Sequence, residues 1–369
     1  MNLELSEEQV ALRDTVRRFL AEKAPISGHV RKLLDDPTGS TEATWHGLAE
    51  LGATGLLVPP EYGGAGMTMV EAGIVAEELG AALHPGPWLS TAVAATRTLI
   101  RCDVQGVAAA EIFTGIAEGA TIATVGPWDM KTLPTADSTA LNGALASVSD
   151  AAAAQVLLAF AQNRYSTELF AVDTASPGVS VTPERGIDQT RKMFRVELDR
   201  VTARRLAIPS PAAVAAVVDD VLIAMAADAL GAARAVMELA VEYAKVRKQF
   251  GQAIGSFQAI QQLCVDMYET VELARSGVIH ALWASDALPH NADERHLCAL
   301  RAKAFAGRLA TVADTAIQVF GGIGYTWNHD AHLYLKRLLS WSAFLGGPDR
   351  YLTEIGVRLA KPRIEDRFH

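Results

Sequence analysis

From Pro209 onward the sequence reads as helix and stays helical, and that run constrains the fold more than any other feature. Ser210-Pro211 is a cap followed by proline at the first helical position, where the missing N–H would have no intrahelical partner anyway. Helical spacing then carries through about 211–248, 257–287, 292–319 and 330–360. The third stretch opens with Asn291 and Glu294 at cap and third-position spacing. Helices this long, joined by short connections, bury their apolar stripes most simply as an antiparallel four-helix bundle.

The first connection is unusual. A helix runs from Tyr243 into Arg247, breaks at Phe250-Gly251, turns through Ile254-Gly255, and restarts after Ser256. A cation near a helix C-terminus is favourable on dipole grounds alone, so Arg247 could be a simple cap. Its guanidinium fork also suits a diphosphate, and the Phe250 ring could lie against an adenine. Gln258 and Gln261 open the next helix with donors and acceptors. A second segment, Ala316 to Tyr325, ends a long helix in Gly321, Gly322 and Gly324. One helix stop needs one glycine, whereas several permit close backbone approach to a ligand. Gln318 is the last polar group before that turn.

Upstream, Ser6 to Gln9 has capping-box spacing, and Val10, Val16, Phe19 and Leu20 recur at helical intervals. Further helical runs cover about 42–51 and 68–83. Between them Gly55 to Gly66 holds two prolines and clustered glycines, which reads as a shaped turn rather than a phosphate loop. The pattern changes near residue 114. Thr121–Val125, Thr139–Val148, Gln155–Phe160, Glu168–Val172, Gly178–Val181 and Phe194–Leu198 are short β-prone runs, with Asn142-Gly143 as a hairpin dipeptide. The Ala151–Ala154 segment stays open between strand edge and helix. The order predicts an α+β multidomain chain: a helical region over 1–112, an antiparallel β domain over 113–208 and the bundle over 209–369.

Charge and composition exclude several functions. With Lys plus Arg at 33 and Asp plus Glu at 42, the net charge of −9 opposes general nucleic-acid binding. Cys102, Cys264 and Cys298 form no CxxC pair and fit a reducing compartment. The acidic Met1 to Gln9 lacks an apolar leader core, and no apolar run approaches the roughly 20 residues that span a bilayer. A cytoplasmic protein is expected. His329 and His332 share a helical face without further ligands, so no metal site is expected.

The two C-terminal segments together resemble the acyl-CoA dehydrogenase family. Arg247-Lys-Gln-Phe-Gly251 with Ile254, Phe257-Gln258 and Gln261 is similar to that family's R-x-x-F-G…I…F-Q-x-x-Q signature. Gln318-Val-Phe-Gly-Gly-Ile-Gly-Tyr325 is similar to its Q-x-x-G-G-x-G-[YF] turn, and Leu56 to Gly66 with Glu77-Glu-Leu-Gly80 to its N-terminal domain. The resemblance implies FAD-dependent formation of a 2,3-double bond in an acyl-CoA thioester, of a fatty acid or steroid side chain. A carboxylate takes the α-proton while the β-hydrogen leaves as hydride to N5 of FAD. It further implies that Arg247, Gln249, Phe250, Gln258, Gln318, Gly321 and Gly322 contact the ADP part of an FAD held mainly by a neighbouring subunit. Dimers of dimers and an electron-accepting flavoprotein partner belong to the same expectation.

Three departures separate this chain from that pattern. The family's glutamate position falls on Leu345 or Gly346. The alternative position on the first bundle helix, ten residues before Gly231, is Val221. Asp219 and Asp220 lie beside it, but one residue along a helix is about 100° of rotation, so they would point elsewhere. The flavin-embracing segments of the middle domain are replaced by Ala123 to Asp129 and Ala144 to Val148. The family includes actinobacterial heterotetramers in which one subunit type lacks the glutamate, and the stretch from Tyr325 to Arg337 resembles those members. Three readings are open: a subunit that completes a catalytic partner's FAD site, a self-sufficient homotetramer with a displaced base, for which Asp219 and Asp220 are the candidates, and a non-catalytic structural paralogue.

Overall fold

The computed structural model describes residues 4–137 and 140–360. Residue 139 of the predicted strand, and the ends 1–3 and 361–369 of the two helical regions, lie outside the described residues. Helix α1 (Glu7–Lys23) begins at a complete capping box: the Ser6 hydroxyl accepts from the Gln9 N–H, and the Gln9 amide oxygen from the Ser6 N–H. Helices α2 (Glu42–Glu50) and α3 (Met69–Ala81) are capped by Thr41 and Thr68. A π-helical run over Leu89–Ala95 continues as α4 (Thr96–Arg101), and α5 (Val107–Ala117) completes the region. The Gly55–Gly66 segment is a packed turn, since a Cβ at Gly64 would lie 2.1 Å from the Val58 carbonyl oxygen.

Eight strands come next: β1 (Ala123–Gly126), β2 (Thr135–Asp137), β3 (Ala140–Ser149), β4 (Val156–Gln162), β5 (Thr167–Asp173), β6 (Val179–Glu184), β7 (Met193–Thr202) and β8 (Arg204–Ala207). They pair in the order β6-β7-β3-β2-β4-β5-β8, with β1 also on β4. The sheet is mixed rather than wholly antiparallel. Strand β1 runs parallel to β4, from Ala123 opposite Val156 to Gly126 opposite Ala159, and β2 continues on the same edge with Thr135 opposite Gln162. Only strands joined by a short turn must be antiparallel, and β1 enters from α5 instead. Residues 127–134, bounded by two prolines, loop out between β1 and β2. Asn142-Gly143 is not the expected hairpin turn. It lies inside β3, where the register shifts after Leu141 and the Asn142 amide oxygen accepts from the Arg200 N–H at 2.8 Å. A turn dipeptide serves here as a bulge. Residues 151–153 form a turn, resolving their ambiguity.

The C-terminal region comprises α6 (Pro211–Val246), the two-residue strands β9 (Lys248–Gln249) and β10 (Gln252–Ala253), α7 (Gln258–Ala287), α8 (Ala292–Ala306), α9 (Ala310–Phe320), α10 (Ala331–Ala343) and α11 (Pro348–Ala360). The third and fourth predicted helices are each interrupted. The third bends at Gly307, where a Cβ would lie 2.7 Å from the Pro348 ring. The fourth breaks between Phe344 and Gly347, with φ of 53° at Leu345 and 109° at Gly346. Gly346-Gly347-Pro348 is a break signal that the apolar periodicity on either side overrides, and only the positive φ of Leu345 itself is beyond sequence spacing.

Helices α3 and α6 cross with their backbones in contact. A Cβ on Gly231 would lie 1.7 Å from the Glu77 carbonyl oxygen, and one on Gly80 would lie 1.9 Å from that of Asp228. This joins the N-terminal helices and the bundle in one apolar core, with Val75, Leu79, Leu230 and Val236 nearly fully buried at the seam. Each such side chain contributes about 2 kcal/mol of burial.

Candidate functional site

The two glycine-containing segments come together at one end of the bundle. Helices α6 and α9 both end there, and the Tyr243 and Phe320 rings meet at 5.2 Å between centroids. Helix α6 leads into a two-strand ribbon rather than a plain corner. Lys248 pairs with Ala253 and Gln249 with Gln252, leaving Phe250 and Gly251 as the turn. Both have positive φ, 52° and 81°, the requirement of the type I′ hairpin turn. Glycine adopts it freely, whereas phenylalanine is strained there, and such strain marks places where position matters. The Phe250 ring stands 93% exposed, edge-on to Phe257 at 6.1 Å.

Arg247, Gln249, Gln258 and Gln318 are also exposed around this ribbon. The Arg247 side chain has no ion-pair or hydrogen-bond partner among the described residues, so the simple side-chain cap does not form. Gln261 instead directs its amide to the Gly255 carbonyl at 3.0 Å, holding the turn. Gly321 and Gly322 face open space, with no atom within 4 Å of where a Cβ would lie. Gly321 has φ of 66° and needs glycine, while Gly324 packs at 3.1 Å on Phe320 and is structural. A free guanidinium, an unpacked aromatic face and two bare backbone glycines suit a flat ligand carrying a diphosphate.

The second region lies at the junction of the N-terminal helices, the sheet and the bundle. Thr124, Trp128 and Ser149 from the sheet side, Val93 from the π-helical run, Val221 from α6 and Phe344 enclose a cavity of only ≈ 40 Å³. That volume admits a few waters and excludes any fused ring system. Val221 and Leu345, the positions that the sequence resemblance matches to a base, line or adjoin it, and neither is a carboxylate. Val221 faces the cavity, and Phe344 closes it immediately before Leu345.

The three consecutive residues of α6 point three ways, as the rotation requires. Asp220 is 1% exposed and accepts from Arg97 at 2.7 Å, Arg101 at 2.8 Å and Ser285 at 2.6 Å. Burial works against its charge, but the two arginines prevail and hold its pKa below the usual range. It is an anchor between α4, α6 and α7. Asp219 meets His296 at 2.9 Å and lines a different, larger cleft. Among the described residues the one carboxylate on the small cavity is Asp150, which spacing does not single out. Burial pushes its pKa up, and it accepts from Ser90 at 2.6 Å. No sequence signal marks it, because residue 150 reaches the cavity only through the positive φ of 56° that ends β3.

The two histidines are engaged locally. The His329 Nδ1 accepts from the Ala331 N–H at 3.1 Å, and no group of three metal-ligating side chains occurs among the described residues. No helix among them is long and apolar enough to cross a membrane.

Comparison with known proteins agrees with this architecture. The acyl-CoA dehydrogenase N-terminal domain matches residues 6–111, and the C-terminal domain matches residues 222–359. The chain belongs to the acyl-CoA dehydrogenase family, oxidoreductases that act on CH–CH bonds with FAD as cofactor. Among its relatives, acyl-CoA dehydrogenase IpdE2 of Mycobacterium tuberculosis is 33% identical, covering 95% of this chain and 96% of that protein. Acyl-CoA dehydrogenase FadE34 of the same organism is 35% identical over 96% of this chain, which spans only 49% of that longer relative. The fold matches the ChsE4-ChsE5 complex of M. tuberculosis with a TM-score of 0.86 at 26% identity, covering 98% of this chain and 99% of that one. It matches a variant of the Tcur3481-Tcur3483 steroid ACAD equally well, at 0.86 and 27% identity over 96% and 98%.

Proposed function

We propose that this chain is the subunit of an acyl-CoA dehydrogenase assembly that completes the FAD site of a catalytic partner. The ribbon at Arg247–Phe250 and the Gly321–Gly322 turn would hold the ADP half of that FAD, with Gln258 and Gln318 beside them. When bound, FAD takes up the hydride released from the β-carbon of the acyl-CoA thioester. This chain's residues orient the cofactor and exclude water from its diphosphate; the base belongs to the partner. The observation that carries the reading is the contrast between the exposed, unpaired Arg247–Phe250 ribbon and the ≈ 40 Å³ cavity, which has no room for the reacting end.

Two further observations support it. Helix α7 exposes three large apolar side chains, Val265 at 56%, Tyr268 at 60% and Leu273 at 56%, which a partner subunit would cover. The relatives include a two-component complex and a protein twice the matched length, and this chain's partner would be a second subunit of the same fold. Steroid side-chain or fatty acyl-CoA thioesters are the substrate class that the relatives favour.

The test is visible flavin absorbance of the chain purified alone, then with a co-expressed family member that carries a glutamate at the position of Val221 or Leu345. Flavin retained only by the pair is expected. Stoichiometric flavin that bleaches with acyl-CoA in the chain alone would overturn the reading, and Asp150 would then be the candidate base. In the pair, Arg247→Ala removes one charged contact to the diphosphate and lowers FAD affinity by about 10–100-fold. An unchanged FAD content would remove Arg247 from the site.

A further inference from the structure

A larger cleft adjoins the small cavity, with Trp128 lining both. It measures ≈ 890 Å³ and runs between the looped-out 127–134 segment, the start of α6, α8 and α11. Trp128, Val218, Leu222 and Leu300 supply apolar walls, and Tyr351 and Glu354 of α11 close one side. That is the volume and lining of a small-molecule site. Tyr351 is the one buried residue of α11, with Leu352 and Ile355 half-buried against the core beside it.

The attachments of α11 divide into a pivot and a fastening. At the pivot, the Leu345 carbonyl accepts from Arg350 at 2.8 Å and from the Tyr351 hydroxyl at 3.0 Å. Gly346 has φ of 109°, and Gly347 has open space on the side where a Cβ would lie, so the link can rotate. At the fastening, His296 of α8 stands between two carboxylates. Its Nδ1 is 2.9 Å from both oxygens of Asp219, and its Nε2 is 3.3 Å from Glu354 of α11.

We propose that His296 is a proton-operated latch that holds α11 closed over this cleft, the helix swinging about Gly346-Gly347 when the proton leaves. The imidazolium donates from both nitrogens and joins α6, α8 and α11. The neutral ring keeps its proton toward Asp219 and turns a lone pair on Glu354, replacing an attraction with a repulsion. Glu354 then has Arg358 on its own helix to fall back on, already at 3.0 Å.

The surrounding charges set the sign. The hydrogen bond to Asp219 raises the His296 pKa above its usual value, Glu354 adds to it, and burial and Arg358 oppose it. Arg295 on α8 and Arg350 on α11 are nearby cations, Asp129 and Lys131 line the same cleft, and Tyr351 is raised by burial. Lys303 of α8, pushed down to about 7 by burial, lies 5.9 Å from the Tyr351 ring and titrates in the same range, so the Glu354→Gln comparison is what assigns the response to His296. Burial raises Asp219 at the same time, and taken alone that would weaken the pair. The imidazolium supplies the countercharge, so the pair persists as imidazolium and carboxylate below the His296 pKa. The latch is therefore closed at low pH and released as pH rises through a value above 6.5.

The experiment is amide hydrogen exchange on the full chain, corrected for the intrinsic pH dependence of exchange, at about pH 6 and about pH 9. Protection in α11 should fall about tenfold at the higher pH, the loss of one charge-assisted hydrogen bond, while α7 stays unchanged. Glu354→Gln, a half-exposed position, should abolish the pH dependence without unfolding the protein, because an amide bonds either form of the ring. His296→Gln should do the same; if it does not fold, Glu354→Gln alone decides. Equal protection of wild-type α11 at both values would overturn the latch. So would an undiminished pH response in Glu354→Gln, or a loss shared by α7.

Discussion

The bundle-end ribbon and the interdomain cavity carry opposite histories in the same fold. At the ribbon every group is displayed: Phe250 is 93% exposed and Arg247 has no partner among the described residues. At the cavity every group is committed. Asp150 is bonded to Ser90, Asp220 is shared by Arg97 and Arg101, and Val221 and Phe344 fill the space between. Water satisfies an exposed guanidinium or amide, so the ribbon's polar groups stay available to a ligand, whereas a buried charge needs a protein partner. On the proposed reading, the difference is that between a surface kept for a second subunit and an interior given over to packing.

If that contrast holds, substitutions at the cavity side act on stability and those at the ribbon do not. Arg97→Ala is the severest expected change. It strips one of two arginines from the fully buried Asp220 and also abandons Asp286 at 2.8 Å. A loss of about 3–5 kcal/mol by denaturant titration is expected, and a loss under about 1 kcal/mol would show that the network is not an anchor.

Acid sensitivity comes next. His84 is fully enclosed beside Arg191 and Arg337, and burial drives its pKa down to about 3. A histidine lowered in the folded state takes up protons more readily when unfolded, so stability declines as pH falls from about 6.5 toward 3. At about pH 4.5 the loss is about 3 kcal/mol. His84→Gln should flatten that limb of the stability profile, and an unaltered limb would assign the acid response to other groups.

Val221→Glu sharpens the comparison at the cavity itself. A carboxylate placed in ≈ 40 Å³, with the Arg191 side chain already engaged by Asp228 and Asp150 nearby, should cost about 2–3 kcal/mol and give the isolated chain no acyl-CoA-dependent flavin bleaching. Bleaching would break the contrast outright. The smallest stability effect belongs to Phe250→Gly. It relieves a positive φ of 52°, so the unfolding free energy should hold or rise by up to about 1 kcal/mol, while FAD retention by the assembled pair falls. A destabilised chain would mean that the ring packs on this subunit after all.

Long, uninterrupted patterns are legible in the sequence. The capping box at Ser6, the Ser210-Pro211 start of α6, the helical periodicities and six of the strands follow from local spacing and appear in the fold. The two glycine-bearing segments are also recognisable by their residues, since bare backbone and a guanidinium fork have few other uses together. Local spacing is silent on direction and on enclosure. It places Asn142-Gly143 in a turn, although pairing with β7 makes it a bulge, and it cannot orient β1 along β4.

The sequence by itself therefore determined the long helices, six of the strands, and that no carboxylate stands at Val221, Leu345 or Gly346. Only the tertiary structure decided where the neighbouring carboxylates go. Asp220 turns to the arginines of α4, Asp219 to the cleft under α11, and Asp150, remote in sequence, to the cavity. The reason is geometric. A side chain's direction follows from its own helix or strand, but what it meets depends on elements brought beside it by the close crossing of α3 on α6 and by the break at Leu345.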